Sequence, residues 1–197
     1  MQDMPRFTFL PASGHADMAW KNGLGRTAEI ARHPASGDAF DWRLSIATIG
    51  ADGPFSAFPG CDRTLVPIEG GGLALDFADG TTLAGGLFEA IRFPGDQACH
   101  GRLLGAVRTR DLNAITRRDA ASHEVEIVGA PSDLAPGDGV LFVVALSGTV
   151  AVSSGARSWD LEPGDALRVD GGRDAIALAG TPATTRAAIV KISLRGA

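Results

Sequence analysis

Polar and apolar residues alternate over short stretches of this chain, and glycine or proline interrupts the alternation every few residues. The clearest stretch is Phe40–Thr48, FDWRLSIAT: Trp42, Leu44 and Ile46 point one way, Asp41, Arg43 and Ser45 the other. This period of two predicts a strand. Further strands are predicted at Arg26–Ala31, Thr64–Ile68, Gly72–Phe77, Val140–Leu146, Thr149–Val152, Ala166–Val169 and Ala187–Leu194. The 26 glycines and 11 prolines among 197 residues leave few windows for a helix of ~10 residues or more. Ala106–Val128 is the exception, with neither Gly nor Pro. Its first part, AVRTRDLNAITRRDAA, is compatible with a helix joining two halves, whereas His123–Val128, HEVEIV, alternates like a strand.

Pro-Gly turns punctuate the strands at Pro59-Gly60, Pro94-Gly95, Pro136-Gly137 and Pro163-Gly164. Proline presets φ for the second turn position, and glycine accepts the positive φ of a type II turn next to it. The turns also reveal a repeat. LVPIEGGGLAL followed by IRFPGD in the first half has the form of VVALSGTVAV followed by WDLEPGDALRV in the second. Each reads as strand, glycine turn, strand, then a segment closing on Pro-Gly-Asp; Gly70-Gly71-Gly72 reads as a hairpin turn. The pattern is typical of the cupin jelly roll, so the expected fold is all-β: two cupin-like jelly-roll barrels in one chain, a bicupin, with few short helices. The halves are placed at 1–118, carrying the ligand site, and 119–197, a scaffold or dimer surface.

Composition narrows the function classes. A net charge of −5 without a Lys/Arg run argues against a nucleic-acid partner. Sixteen of the 18 basic residues are arginine, which makes Lys21 and Lys191 the exceptions. Cys61 and Cys99 form no CxxC pair and read as buried free thiols of a reducing compartment. The N-terminal MQDMPRFTFL has no long apolar run, and nothing approaches the ~20 apolar residues of a membrane span. The expectation is a soluble, cytoplasmic protein with no membrane partner.

Candidate chemistry is sparse. A cupin metal site needs two histidines one residue apart on a strand, with a third histidine and a carboxylate. His15, His33, His100 and His123 are far apart and no HxH occurs, so neither metal nor other cofactor is expected. There is no GxSxG elbow, no phosphate loop and no dinucleotide fingerprint. Two polar groups stand out. Asp41, Arg43 and Ser45 share one strand face. Periodicity favours a solvated outer face; the alternative is that they line a barrel mouth, where arginine can hold a carboxylate through two hydrogen bonds. Trp20-Lys21-Asn22-Gly23-Leu24-Gly25 reads either as a surface turn or as a binding loop.

Taken together, WKNGLGRTAEIA (Trp20–Ala31), FDWRLSIA (Phe40–Ala47), DGPFSAFPGCDRTL (Asp52–Leu65), FPGD (Phe93–Asp96) and RDLNAITRR (Arg110–Arg118) resemble the HutD/Ves family in order and spacing. The resemblance covers most of the first two-thirds of the chain. It implies a bicupin without the usual metal ligands. For the HutD branch it implies a regulatory role in histidine utilisation with a small acidic ligand such as formylglutamate or urocanate; for the Ves branch, a link to environmental stress. The family motif falls on Trp20, Lys21, Asn22, Thr27, Glu29, Arg43, Ser45, Phe58, Arg63, Asp111 and Asn113. Leu24 departs from it, standing where the family has the middle glycine of Asn-Gly-Gly-Gly; a side chain there is expected either to reduce loop flexibility or to narrow the pocket.

The resemblance places Lys21, Asn22, Arg43, Ser45 and Arg63 around the ligand. Arg43 or Arg63 pairs with its carboxylate, and Lys21 adds a second positive charge. Asn22 and Ser45 orient the ligand, Trp20 and Phe58 form apolar walls, and His100 and Asn113 are weaker candidates. Glu29 and Asp111 are instead assigned to holding the arginines. The missing metal set and nucleophile favour binding over catalysis. The alternative is a metal-independent isomerase or hydrolase of a small acid, with Glu29 or His100 as acid/base. A homodimer through edge strands is compatible with such barrels.

Overall fold

A computed structural model describes residues 5–20, 23–37, 39–137, 139–172 and 174–195. Lys21 and Asn22 therefore lie outside the described residues. The described residues are almost wholly β, with one 3-10 turn among them at Ala12–Gly14. The first ten strands are β1 (Arg6–Leu10), β2 (Ala16–Ala19), β3 (Gly25–His33), β4 (Trp42–Ile49), β5 (Gly53–Phe55), β6 (Cys61–Glu69), β7 (Leu73–Phe77), β8 (Thr82–Gly85), β9 (Ile91–Pro94) and β10 (Cys99–Leu103). They are followed by β11 (Thr109–Arg117), β12 (Ala121–Gly129), β13 (Ser132–Leu134), β14 (Val140–Ser147), β15 (Val150–Ser154), β16 (Arg157–Leu161), β17 (Ala166–Asp170), β18 (Ile176–Ala179) and β19 (Arg186–Leu194). No helix among the described residues is long and apolar enough to cross a membrane.

Two compact units emerge, each built from two sheets. One is Ala16–Ser122; the other joins the segment ending at His15 to the chain from His123 onward. The halves placed at 1–118 and 119–197 differ from these units at two points. The division falls at Ser122, and β1 belongs with the second half because it pairs with β17, from Arg6↔Asp170 to Leu10↔Ala166. An isolated strand signal does not reveal which sheet edge it will join.

The repeat in the sequence is a repeat of topology. The unit Ala16–Ser122 has sheets ordered β5-β10-β7-β8 and β2-β3-β4-β11-β6-β9. The other unit has β13-β18-β15-β16 and β1-β17-β14-β19-β12. Adding eight to each strand number of β5-β10-β7-β8 and β4-β11-β6-β9 reproduces the second unit apart from its edge strand β1. Strands β2 and β3 are the addition that extends the first unit's larger sheet beyond β4. None of the four sheets closes on itself, so the observed architecture is two sheets per unit rather than a closed barrel.

Gly70–Gly72 is not a hairpin. Strands β6 and β7 lie in different sheets, so these glycines turn a corner between layers. Gly72 has φ +102°, and a Cβ there would stand 2.5 Å from the Gly85 carbonyl oxygen, so only glycine fits. The segment expected as a linking helix is instead β11 and the start of β12. Its alternation is masked because both faces of β11 are buried, including Asp111 and Asn113.

The cores differ in kind. The second unit is filled by aliphatic side chains such as Leu141, Val143, Leu167, Val169 and Ile189. In the first, Leu65, Leu73, Leu75, Ile91 and Phe93 pack around Phe55 and Ile49, and buried polar residues share the interior. Gly101 on β10 lies directly against the Phe55 ring, where a Cβ would come within 2.2 Å of a ring carbon. Gly101→Ala is expected to lower stability by about 1–3 kcal/mol through overpacking. Urea unfolding reads this as a lower midpoint at unchanged slope; an unchanged midpoint would mean that the ring moves aside freely.

Candidate functional site

Arg43 and Ser45, two of the three polar residues on one face of FDWRLSIAT, point inward. Antiparallel pairing of β4, β11 and β6 sets their partners in rows: Arg43, Ile115 and Arg63; then Ser45, Asn113 and Leu65; then Ala47, Asp111 and Pro67. Strand β3 extends each row, and a bulge between Glu29 and Ala31 changes its parity so that Arg32 stands opposite Arg43. Arg43, Ala47, Phe58, Arg63 and Asn113, with Trp20, Thr27 and Phe55, line a cavity of about 400 Å³. That is within the usual range for small-molecule sites.

The two arginines start about 10 Å apart, two strand spacings. Their guanidinium carbons nevertheless lie 5.3 Å (Arg43) and 4.9 Å (Arg63) from the centre of the same ring, Phe58. Phe40 flanks Arg43 at 5.2 Å and Phe93 flanks Arg63 at 5.1 Å. No carboxylate among the described residues forms an ion pair with either arginine. Arg63 Nη1 donates to the Ser56 carbonyl oxygen at 3.1 Å, while Nε of both arginines is buried without a partner. A cation supported through its flat faces keeps its N–H edges free for an anion in the same plane.

Phe58 is held from outside the cavity by the two Pro-Gly motifs. Its N–H donates to Gly95 O at 2.6 Å, Gly95 N–H to Cys61 O at 2.7 Å, and Gly60 N–H to Asp96 Oδ1 at 2.8 Å. Arg118 donates to Asp62 Oδ1 and Cys61 O, both at 2.7 Å, and also to Asp96 Oδ2. Those hydrogen bonds, Arg118 first, hold the Asp96 carboxyl well below the usual carboxylate range.

Electrostatics inside the cavity are strained. Burial brings Arg63, only 4% exposed, down to about 10, with Asp111 opposing the shift and Arg43 adding to it. Burial also lowers Arg43, against the attraction of Glu29. Asp111, 0% exposed, is pushed up to about 7 by burial, against the pull of Arg63. Its two oxygens, Ser45 Oγ and Asn113 Oδ1 are buried without a hydrogen-bond partner among the described residues. Cys61 and Cys99 are buried free thiols, both raised chiefly by burial.

Three kinds of similarity bear on this arrangement. The family model described as HutD matches residues 12–188. The chain belongs to the HutD family. It is 34% identical over 127 residues to protein Ves of Citrobacter koseri (strain ATCC BAA-895 / CDC 4225-83 / SGSC4696), a match spanning 64% of this chain and 66% of that protein, just under two thirds of its length. It is similar to the solved structure of HutD from Pseudomonas fluorescens SBW25 (formate condition), at 28% identity and a TM-score of 0.85, covering 97% of this chain and 100% of that one. In fold alone it matches a cupin 2 conserved barrel domain protein from Leptotrichia buccalis, at 8% identity and a TM-score of 0.59, covering 90% and 96% of the two chains. The fold is thus cupin-like.

Of the residues expected around the ligand, Trp20, Arg43, Phe58, Arg63 and Asn113 line the cavity of this HutD-family chain, and Ser45 is buried between Arg43 and Ala47, opposite Asn113. The Trp20 indole N–H donates to Thr27 Oγ1 at 2.8 Å, and its ring meets Phe55 edge-on. Lys21 and Asn22 fall outside the described residues. His100 is a correction: it is exposed on β10, where Cys99 and Gly101 take the buried positions, and it does not line the cavity. Asp41 is also turned away, pairing with Arg117 at 3.2 Å. Leu24 packs over Gly53 rather than into the cavity. Phe40, Phe55, Phe93 and Arg32 escaped the sequence reading. The first three stand inside the conspicuous motifs, but only the packing reveals what their rings touch.

The shift at Asp111 has a definite sign. Its folded-state value lies above the ordinary one, so the folded chain holds a proton that the unfolded chain has released, and stability falls as pH rises from about 4 to about 7. Asp111→Asn is therefore expected to be more stable than the wild type above about pH 7, by on the order of 2–4 kcal/mol, and to lose this advantage as pH falls toward 4. Urea titrations across that range check it; equal stabilities at about pH 8 would contradict it.

Proposed function

We propose that this HutD-family chain is a metal-free binding protein for a small acidic metabolite, held in the cavity of its cupin-like first half. One observation carries the reading: the guanidinium groups of buried Arg63 and half-buried Arg43 converge on the Phe58 ring without a carboxylate partner of their own. A ligand carboxylate supplies the missing negative charge through in-plane hydrogen bonds to Arg63, Arg43 or both. The Asn113 amide, lining the cavity, orients the ligand, and Trp20, Phe55 and Phe58 enclose its apolar part. Family membership, together with the HutD relative's name, supports a regulatory role in histidine utilisation in the cytoplasm, with formylglutamate or urocanate as the ligand class. The acidic net charge favours a regulatory effect exerted through metabolite or protein contacts rather than DNA.

Calorimetry with formylglutamate, urocanate, glutamate and histidine tests the reading. At least one of the acids is expected to bind, and Arg63→Met or Arg43→Met is expected to weaken it by roughly 10- to 100-fold, the worth of one charge-assisted hydrogen-bonded contact. Arg63→Met should fold without loss of stability, because it removes a buried charge that burial disfavours. Failure of all four compounds to bind the folded wild type, or full affinity in the Arg43→Met/Arg63→Met double variant, would sink it.

A further inference from the structure

Asp111 stands on the face of β11 that carries Asn113 and Ile115, one row deeper than Asn113 and directly opposite Ala47, which lines the cavity. It is fully buried, and neither carboxyl oxygen has a partner among the described residues. The ionisable groups turned toward this interior come from several strands. Strand β6 supplies Arg63 and, at its start, Cys61. Strand β4 supplies Arg43, β3 supplies Glu29 and Arg32, and β10 supplies Cys99. The charge that attracts the ionised form of Asp111 is Arg63, and burial opposes that form.

Arg63 is therefore shared between two claimants. A carboxylate that binds it takes over the positive charge Asp111 depends on and brings a second negative charge into the same low-dielectric interior. Resting on the assignment of a carboxylate ligand to the cavity, we infer that binding of an acid at Arg43 and Arg63 is coupled to uptake of one proton by Asp111. The proton comes from solvent and settles on a carboxyl oxygen, so the site's net charge stays matched to a bound anion. Asp111 is thus a positioning and specificity residue. It leaves Arg63 free for the ligand when protonated and competes for Arg63 when ionised.

The sign of the linkage follows. Asp111 titrates at about 7 in the free protein, so well below that pH it already carries its proton and affinity is flat. Above it, each ligand bound must bring a proton, and affinity falls by as much as about tenfold per pH unit. N-formylglutamate is the probe, because its carboxyl groups do not titrate in this range. Calorimetry from about pH 6 to about pH 8.5, in buffers of different ionisation enthalpy, should find little proton uptake at the acid end and up to about one proton per ligand at the alkaline end. Asp111→Asn should remove the uptake and bind more tightly than the wild type at about pH 8.5, which loss of a merely structural contact would not produce. Binding with flat affinity and no proton exchange in the wild type would overturn the coupling and leave the ligand assignment standing. No binding of N-formylglutamate at any pH would overturn both for this acid. The wild-type proton count decides the matter even where Asp111→Asn does not fold.

Discussion

Two arginine side chains, Arg63 buried and Arg43 half-buried, packed against one phenylalanine ring form the contact around which the first unit is organised. Burying a guanidinium without a counter-ion is costly. Here the cost is offset by the faces of Phe40, Phe58 and Phe93, by one backbone carbonyl for Arg63, and by the more distant charges of Glu29 and Asp111. Apart from the Ser56 carbonyl oxygen on Arg63 Nη1, none of these occupies the N–H edges of the arginines. The surrounding structure keeps it so. The paired Pro-Gly motifs and Arg118 fix Phe58, the β3 bulge sets the row in which Arg32 and Arg43 stand, and Gly101 makes room for the Phe55 ring.

Comparison of the two units shows what this arrangement displaces. They share a strand order, and strands β14 and β19 of the second unit occupy the places of β6 and β11 in the first. Where the first unit has Arg63, Asp111 and Asn113, the second is filled by Leu141, Val143, Ala145 and Ile189, and needs no polar compensation. One copy of the topology is thus a close-packed apolar core, and the other carries buried, under-satisfied polar groups. Departures of this kind from ordinary core composition are characteristic of functional sites, because an apolar filling is the more stable solution.

Much of the fold was legible in the chain. Alternation located nine of the nineteen described strands, mostly the longer ones, Pro-Gly punctuation marked turns, and the repeat implied two related halves. The failures have physical causes. The β11 segment looks helical because it lacks Gly and Pro, and its alternation is hidden: Leu112 and Ala114 are buried on one face, Asp111 and Asn113 on the other. Gly70–Gly72 looks like a hairpin because a tight turn has the same local chemistry whether the next strand pairs back or crosses to another sheet. His100 looked functional as a residue type, but its strand position turns it outward.

Local properties, the two-residue side-chain period and the φ preferences of proline and glycine, were enough for the sequence by itself to determine an all-β chain with a duplicated plan and a cluster of unusual polar residues. Only the tertiary structure decided that the Arg43 and Ser45 face of β4 is enclosed as well as the Leu44 and Ile46 face. The period separates Arg43 and Ser45 from Leu44 and Ile46, but the enclosure depends on which strands lie alongside. The neighbours β3, β11 and β6 come from distant parts of the chain, and it is their order and register that bring Arg43 and Arg63 to one ring and leave Asp111 behind them.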